Sequence, residues 1–164
     1  MDFRFAQEIA APLEEVEESL CSSSFYAGLG TTGHVGSVEV LEREEAGRVV
    51  HLQLRMTYTG ELPAAARVVV DPAKLSWVTH LVADRDAHQA TFTFVPDHYP
   101  ERLTCAGSYE LVGGGDRTRR EVAGRLSVRI PLLGASAARA LVGGLRAHFD
   151  EQAALLAPGQ PERS

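Results

Sequence analysis

The sequence predicts an α+β protein in which a curved antiparallel sheet of about seven strands wraps around one long C-terminal helix. Three observations lead there. Segments that alternate apolar and polar residues recur from Phe3 to Ile130. The links between most of them are short, which favours antiparallel neighbours over βα units. The one long helical pattern comes last, ending near Leu156.

The elements follow in order. Phe3, Phe5 and Ile9 alternate with Asp2, Arg4 and Glu8, the pattern of a half-buried strand. Pro12 suits the first turn of a helix. Leu13, Val16 and Leu20 then share a helical face, and Glu14, Glu15, Glu17 and Glu18 make a solvated face matched to the helix dipole. Ser22-Ser23-Ser24 interrupts this helix, and a second short helical piece runs from Phe25 to Leu29. Val38 and Val40 begin a strand that turns at Glu44-Glu45-Ala46-Gly47. Val50, Leu52, Leu54, Met56 and Tyr58 alternate with His51, Gln53, Arg55 and Thr57, the clearest strand in the chain. Leu62 to Ala66 opens a short helix, and Leu75 to Ala83 is a strand carrying Trp77. His88, Ala90, Phe92 and Phe94 mark the next strand, and Leu103 to Val112, with Tyr109, the one after. Gly113-Gly114-Gly115-Asp116 is a hairpin turn, because glycine tolerates positive φ. Val122, Gly124, Leu126, Val128 and Ile130 form the last strand.

In the final helix, Leu141, Leu145, Phe149 and Leu156 repeat at helical spacing, with Ala138 and Ala153 between them. Arg139, Arg146 and Asp150 fall on the opposite side, as an amphipathic helix requires. At 1.5 Å per residue such a helix reaches about 35 Å, enough to cross a sheet. Gly143-Gly144 lies in its middle. The pair marks either a kink or a close approach by another backbone or a ligand. Residues 1–157 are expected to form one domain, and Pro158 to Ser164 a frayed tail.

Composition narrows the function classes. The 164 residues carry a net charge of −6, which disfavours nucleic-acid binding and adhesion to anionic membranes. The one basic cluster, Arg117, Arg119 and Arg120, is read as sitting beside a turn. No segment has the apolar length of a membrane span, so no stable membrane insertion is expected. Cys21 and Cys105 share no motif and read as free thiols. With no signal-peptide pattern at the N-terminus, a cytoplasmic location is expected.

No motif commits the chain to a reaction, and neither catalytic residue, metal site nor cofactor is expected. Gly28-Leu29-Gly30-Thr31-Thr32-Gly33 matches GxGxxG in letters. The dinucleotide fingerprint needs a strand before and a helix after, and here that order is inverted. The segment reads as a flexible connection and a candidate cavity lip. His34, His51, His80, His88, His98 and His148 show no metal-ligand spacing. His51 is placed facing solvent, His98 in a turn, and His148 near the apolar stripe of the last helix.

The aromatic residues are more informative. With apolar faces inward, Tyr58, Phe92, Phe94 and Tyr109 converge with Leu54 and Met56, while the side taken by Trp77 is ambiguous. Apolar walls with a few polar handles describe a ligand pocket, and the same residues also suit a filled core. A buried tyrosine hydroxyl needs a partner, since an unmade hydrogen bond costs about 1–3 kcal/mol.

The whole order of elements resembles the START/SRPBCC superfamily, whose helix-grip fold is shared with the birch pollen allergen. Phe3 to Val16 resembles the superfamily's first strand and the start of its first helix. Within it, the chain is most similar to a bacterial family of unknown function. The residues supporting this are Glu61-Leu62-Pro63, Trp77, Gly124-Arg125-Leu126 and Val128-Arg129-Ile130-Pro131-Leu132-Leu133-Gly134. Glu17 departs from an aromatic common at its place, and Ala138 from an expected acid. Superfamily members bind lipids, sterols, polyketides or other hydrophobes, and some are cyclases or hydrolases. The resemblance therefore implies a cavity, not a particular reaction.

The leading expectation is a carrier or sensor for a small hydrophobic or amphipathic molecule, acting as monomer or homodimer. Its ligand-binding residues would be Leu54, Met56, Tyr58, Trp77, Phe92, Phe94, Tyr109, Leu141, Leu145 and Phe149. Alternatives are a cyclase- or hydrolase-type enzyme using the same cavity, with Tyr58, Tyr109, His148 or His80 supplying an acid or base, and a protein-interaction module.

Overall fold

The computed structural model describes residues 1–30, 34–68 and 70–157. Seven strands form one antiparallel sheet: β1 (Asp2–Ile9), β2 (Glu39–Ala46), β3 (Val49–Thr57), β4 (Ser76–Asp84), β5 (Gln89–Pro96), β6 (Leu103–Gly114) and β7 (Arg117–Val128). Their spatial order is β1-β7-β6-β5-β4-β3-β2. Every strand from β2 onward pairs with its sequence neighbour, and β1 closes onto β7. Helices α1 (Leu13–Leu20) and α2 (Ser23–Ala27) bridge from β1 to β2, and α3 (Gly134–Leu156) follows β7.

Local chemistry accounts for these elements. The odd residues Phe3, Phe5, Gln7 and Ile9 of β1 are buried and the even ones exposed. Gly114 pairs with Arg117, so Gly115-Asp116 is the two-residue turn, with Gly115 at φ +69°. The outermost strand β2 carries Glu39, Glu42, Glu44 and Glu45 and is almost wholly exposed, and charge of that kind protects an unpaired edge. A register shift between Val40 and Glu42 bends it further.

Several expectations need adjusting. Pro12 is the residue just before α1 rather than within its first turn. Glu17 is buried, not solvated: α1 turns it toward the β4–β5 turn, where both carboxylate oxygens lie 3.0 and 3.1 Å from His88 Nδ1. The helix expected from Leu62 is a single 3-10 turn at Ala66–Val68. The last strand stops at Val128, two residues early, because Ile130 already accepts backbone bonds from Leu133 and Gly134 at the entry to α3.

Helix α3 lies along the inner face, packed chiefly on β1 and β7. Leu141, Leu145, Phe149, Ala153 and Leu156 are buried, and Arg139, Arg146 and Asp150 are exposed. Burying one such leucine or phenylalanine contributes roughly 1.5–3 kcal/mol. No helix among the described residues is long and apolar enough to cross a membrane. Pro158 to Ser164 lie outside the described residues, as do Thr31, Thr32 and Gly33 of the expected cavity lip.

Candidate functional site

Between α3 and the sheet lies a row of small voids rather than one chamber. The largest, about 40 Å³, is bordered by Leu54, Met56, Phe92, Phe94, Tyr109, Leu145 and Phe149. A second, about 20 Å³, is bordered by Tyr58, Trp77, Phe94, Leu141 and Leu145. All ten residues selected from the sequence thus line one of these two voids. A third void of about 20 Å³ lies beyond Leu141 and Leu103. Each holds a few waters at most, whereas ligand pockets usually measure about 300–1,000 Å³. The interior is close to filled.

Parity along the strands decides which side chains enter. Trp77 and Leu81 of β4 point inward, and Thr79 between them must do so too. Thr79 Oγ1 accepts a hydrogen bond from Trp77 Nε1 at 3.1 Å and lies 3.5 Å from Met56 Sδ. The indole N–H is thereby satisfied within the wall. Trp77 stacks on Phe94 with ring centres 5.1 Å apart.

One end of the row is polar, and this was not expected from the sequence. Arg120, read from the sequence as part of a basic cluster beside a turn, is 0% exposed and points inward from β7. Its register partner on β1 is Gln7. Arg120 Nε donates to Gln7 Oε1 at 2.9 Å, Nη1 to Gln152 Oε1 at 3.0 Å, and Nη2 to the Phe149 carbonyl at 2.9 Å. The guanidinium lies 4.6 Å from the Phe149 ring centre and 5.6 Å from that of Tyr109, within cation–π reach. Burial pulls it down to about 10, so it stays charged at neutral pH. Gln152 Nε2 lies 3.1 Å from His148 Nε2. Because Gln152 Oε1 is taken by Arg120, its amide donates and His148 accepts, which places the imidazole proton on Nδ1. Burial and the Arg120 charge hold His148 down to about 4, so it is neutral at pH 7. Burial pushes the Tyr109 phenol well up, and likewise that of Tyr26, whose hydroxyl donates to the Leu20 carbonyl at 2.7 Å.

The middle void is walled by Tyr58, just past β3, where an isolated bridge pairs it with Val35. Its hydroxyl donates to the Glu61 carbonyl at 3.1 Å and lies 3.5 Å from the Ala140 carbonyl on α3. The ring rests on Gly144. A Cβ there would come within 2.8 Å of Tyr58 Cε1 and 3.1 Å of His34 Cβ. The close neighbours of Gly144 are side chains, not the other backbone or ligand expected for Gly143-Gly144. Gly143 faces open space.

Other candidates fall away from the interior. His80 and His51 lie on outward positions of β4 and β3, and His98 is exposed in the loop after β5. His80 therefore cannot act in the interior. Among the described residues no three metal-binding side chains converge. Cys21 and Cys105 are buried free thiols, and burial pushes Cys105 up to about 12. A larger concavity, about 530 Å³, is a groove on the outer sheet face, lined by Arg4, Gln89, Ser108, Glu110, Arg119 and Glu121 among others. It lies on the side of the sheet away from α3, and Arg119 there pairs with Glu8 and Glu121.

A seven-stranded antiparallel sheet gripping a long C-terminal helix is the helix-grip fold of the START superfamily. Residues 4–158 match the family described as "Protein of unknown function (DUF2505)", and the chain belongs to that family. No curated protein matches it. Among solved structures, a Thermus thermophilus protein superposes with a TM-score of 0.67 at 17% identity, covering 95% of this chain and 94% of that one. The Zhui aromatase/cyclase of a Streptomyces species gives 0.66 at 16%, covering 95% and 93%. A START superfamily protein from Mycobacterium smegmatis gives 0.63 at 16%, covering 94% and 96%. At these identities the likeness concerns the fold alone.

Proposed function

We propose that the protein binds a small hydrophobic or amphipathic molecule between α3 and the sheet, as a carrier or sensor rather than as a catalyst. The observation that carries this reading is the row of voids. The first two share Phe94 and Leu145, and the second and third share Leu103 and Leu141. Rotating a few side chains would merge them into one elongated space, so the present arrangement reads as the closed form. Binding would then come from burying ligand apolar surface at roughly 25 cal/mol per Å², less the cost of ordering. The test is native mass spectrometry of the purified protein, followed by titration with an apolar fluorescent probe. A retained small molecule or saturable probe binding is expected. Absence of both, with a rigid interior by hydrogen exchange, rejects the reading.

A catalytic variant of this reading rests on His148, a neutral imidazole bordering the largest void, and the Streptomyces structure named above is an aromatase/cyclase. An imidazole held near 4 is a weak general base at pH 7, which favours binding over turnover. Turnover of a bound substrate that is lost in His148→Gln would reverse that preference.

A further inference from the structure

The polar end of the interior has an unusual charge balance. Arg120 is fully buried, and all three groups that accept its hydrogen bonds are neutral: two side-chain amides and one carbonyl. No ion pair involves it among the described residues, and the one carboxylate felt there, Asp150, is exposed. A guanidinium carries five N–H donors, so one on each Nη is left without an acceptor from the described residues. A second buried donor without a partner lies beside it. Gln7 gives its oxygen to Arg120, and its Nε2, buried, has no partner. Gln7 is itself 5% exposed.

The cluster is therefore a buried cation with spare donors and no anion. If Arg120 served only to fasten the Phe149 carbonyl to β1 and β7, a neutral donor would suffice without the cost of desolvating a charge. Arg120, His148, Gln152 and Tyr109 all border the largest void, whose remaining lining is mostly apolar. We propose that this end is a subsite for a single carboxylate group carried on an apolar body, the Arg120 guanidinium donating to it from the void wall. The apolar body would extend along the void row toward Phe94, Trp77 and Leu141. This assignment rests on the interior-binding reading above and adds to it the charge and polarity of the ligand.

The experiment compares matched probes on the full-length protein by calorimetry: decanoate against 1-decanol, and 3-phenylpropanoate against 3-phenylpropan-1-ol. Each acid is expected to bind about tenfold or more tighter than its alcohol, the scale of a charge-assisted hydrogen bond. In Arg120→Gln the acid-to-alcohol ratio should collapse, and in Arg120→Lys it should shrink. Circular dichroism establishes that each variant is folded. If neither folds, the wild-type ratio decides alone. Equal affinity for acid and alcohol overturns the carboxylate subsite and leaves interior binding standing. Saturable binding of neither overturns both.

Discussion

The first and middle voids of the interior are held shut by different physics. At the Arg120 end, β1, β7 and the last turns of α3 are joined by charged and amide hydrogen bonds wholly removed from water. Beside Tyr58, a loop and the middle of α3 meet through an aromatic ring laid on a glycine. The first is directional and expensive to break. The second depends on shape, and a ring can swing with little loss of hydrogen bonding. The contrast places the rigid anchor at Arg120 and the yielding side at Tyr58 and Gly144.

The largest expected effect is at the anchor. Arg120→Ala leaves two amides and a carbonyl without their donor and opens a cavity, and should cost about 3–5 kcal/mol in chemical denaturation. A loss below about 1 kcal/mol would mean that the charge is a burden in the unliganded protein, placed there for a ligand rather than for stability. Next comes acid. His148 titrates near 4 when folded and near 6.5 when unfolded, so the unfolded chain binds more protons in between. Stability is then complete above about pH 6.5 and lost as pH falls toward 4. At 1.36 kcal/mol per unit the loss approaches about 3 kcal/mol. His148→Gln should flatten that part of the pH profile, measured by thermal melts in matched buffers.

On the yielding side the effects are smaller. Gly144→Ala forces the Tyr58 ring and His34 aside, a net cost of about 1–2 kcal/mol after the gain in helix propensity. Gly143→Ala meets nothing and should stabilise by about 0.5–1 kcal/mol. Opposite signs at adjacent glycines would establish that Gly144 serves packing. Tyr58→Phe removes the bond to the Glu61 carbonyl and should cost about 1 kcal/mol or less. If it also speeds probe entry in stopped-flow while Gln152→Met does not, the Tyr58 side is the door.

Most of the fold was legible because it rests on periodicity. Strand alternation gave the sheet, short links gave its antiparallel order, and the stripe from Ala138 to Leu156 gave the gripped helix. The same rule held the polar cluster in plain view. Val122, Gly124 and Leu126 occupy even positions on β7, and so does Arg120. Phe3, Phe5 and Ile9 occupy odd positions on β1, and so does Gln7. Arginine and glutamine are ordinarily surface residues, and Arg117 and Arg119 make Arg120 look like one of a group. Thr79 was missed although Trp77 and Leu81 flank it on the same face. Glu17 was misplaced because it sits among three solvated glutamates, and its partner His88 is distant in sequence.

The sequence by itself determined which residues alternate, which stripe of the last helix is apolar, and hence the kind of sheet and helix that form. Those follow from local geometry, two residues per repeat on a strand and 3.6 on a helix. Only the tertiary structure decided that Arg120, Gln7, Gln152 and His148 meet. It alone decided that Gly144 rather than Gly143 is the contact point, and that the interior is a row of voids instead of a chamber. Those depend on register between strands distant in sequence and on the volumes that side chains fill once packed, and neither is written in any short stretch of chain.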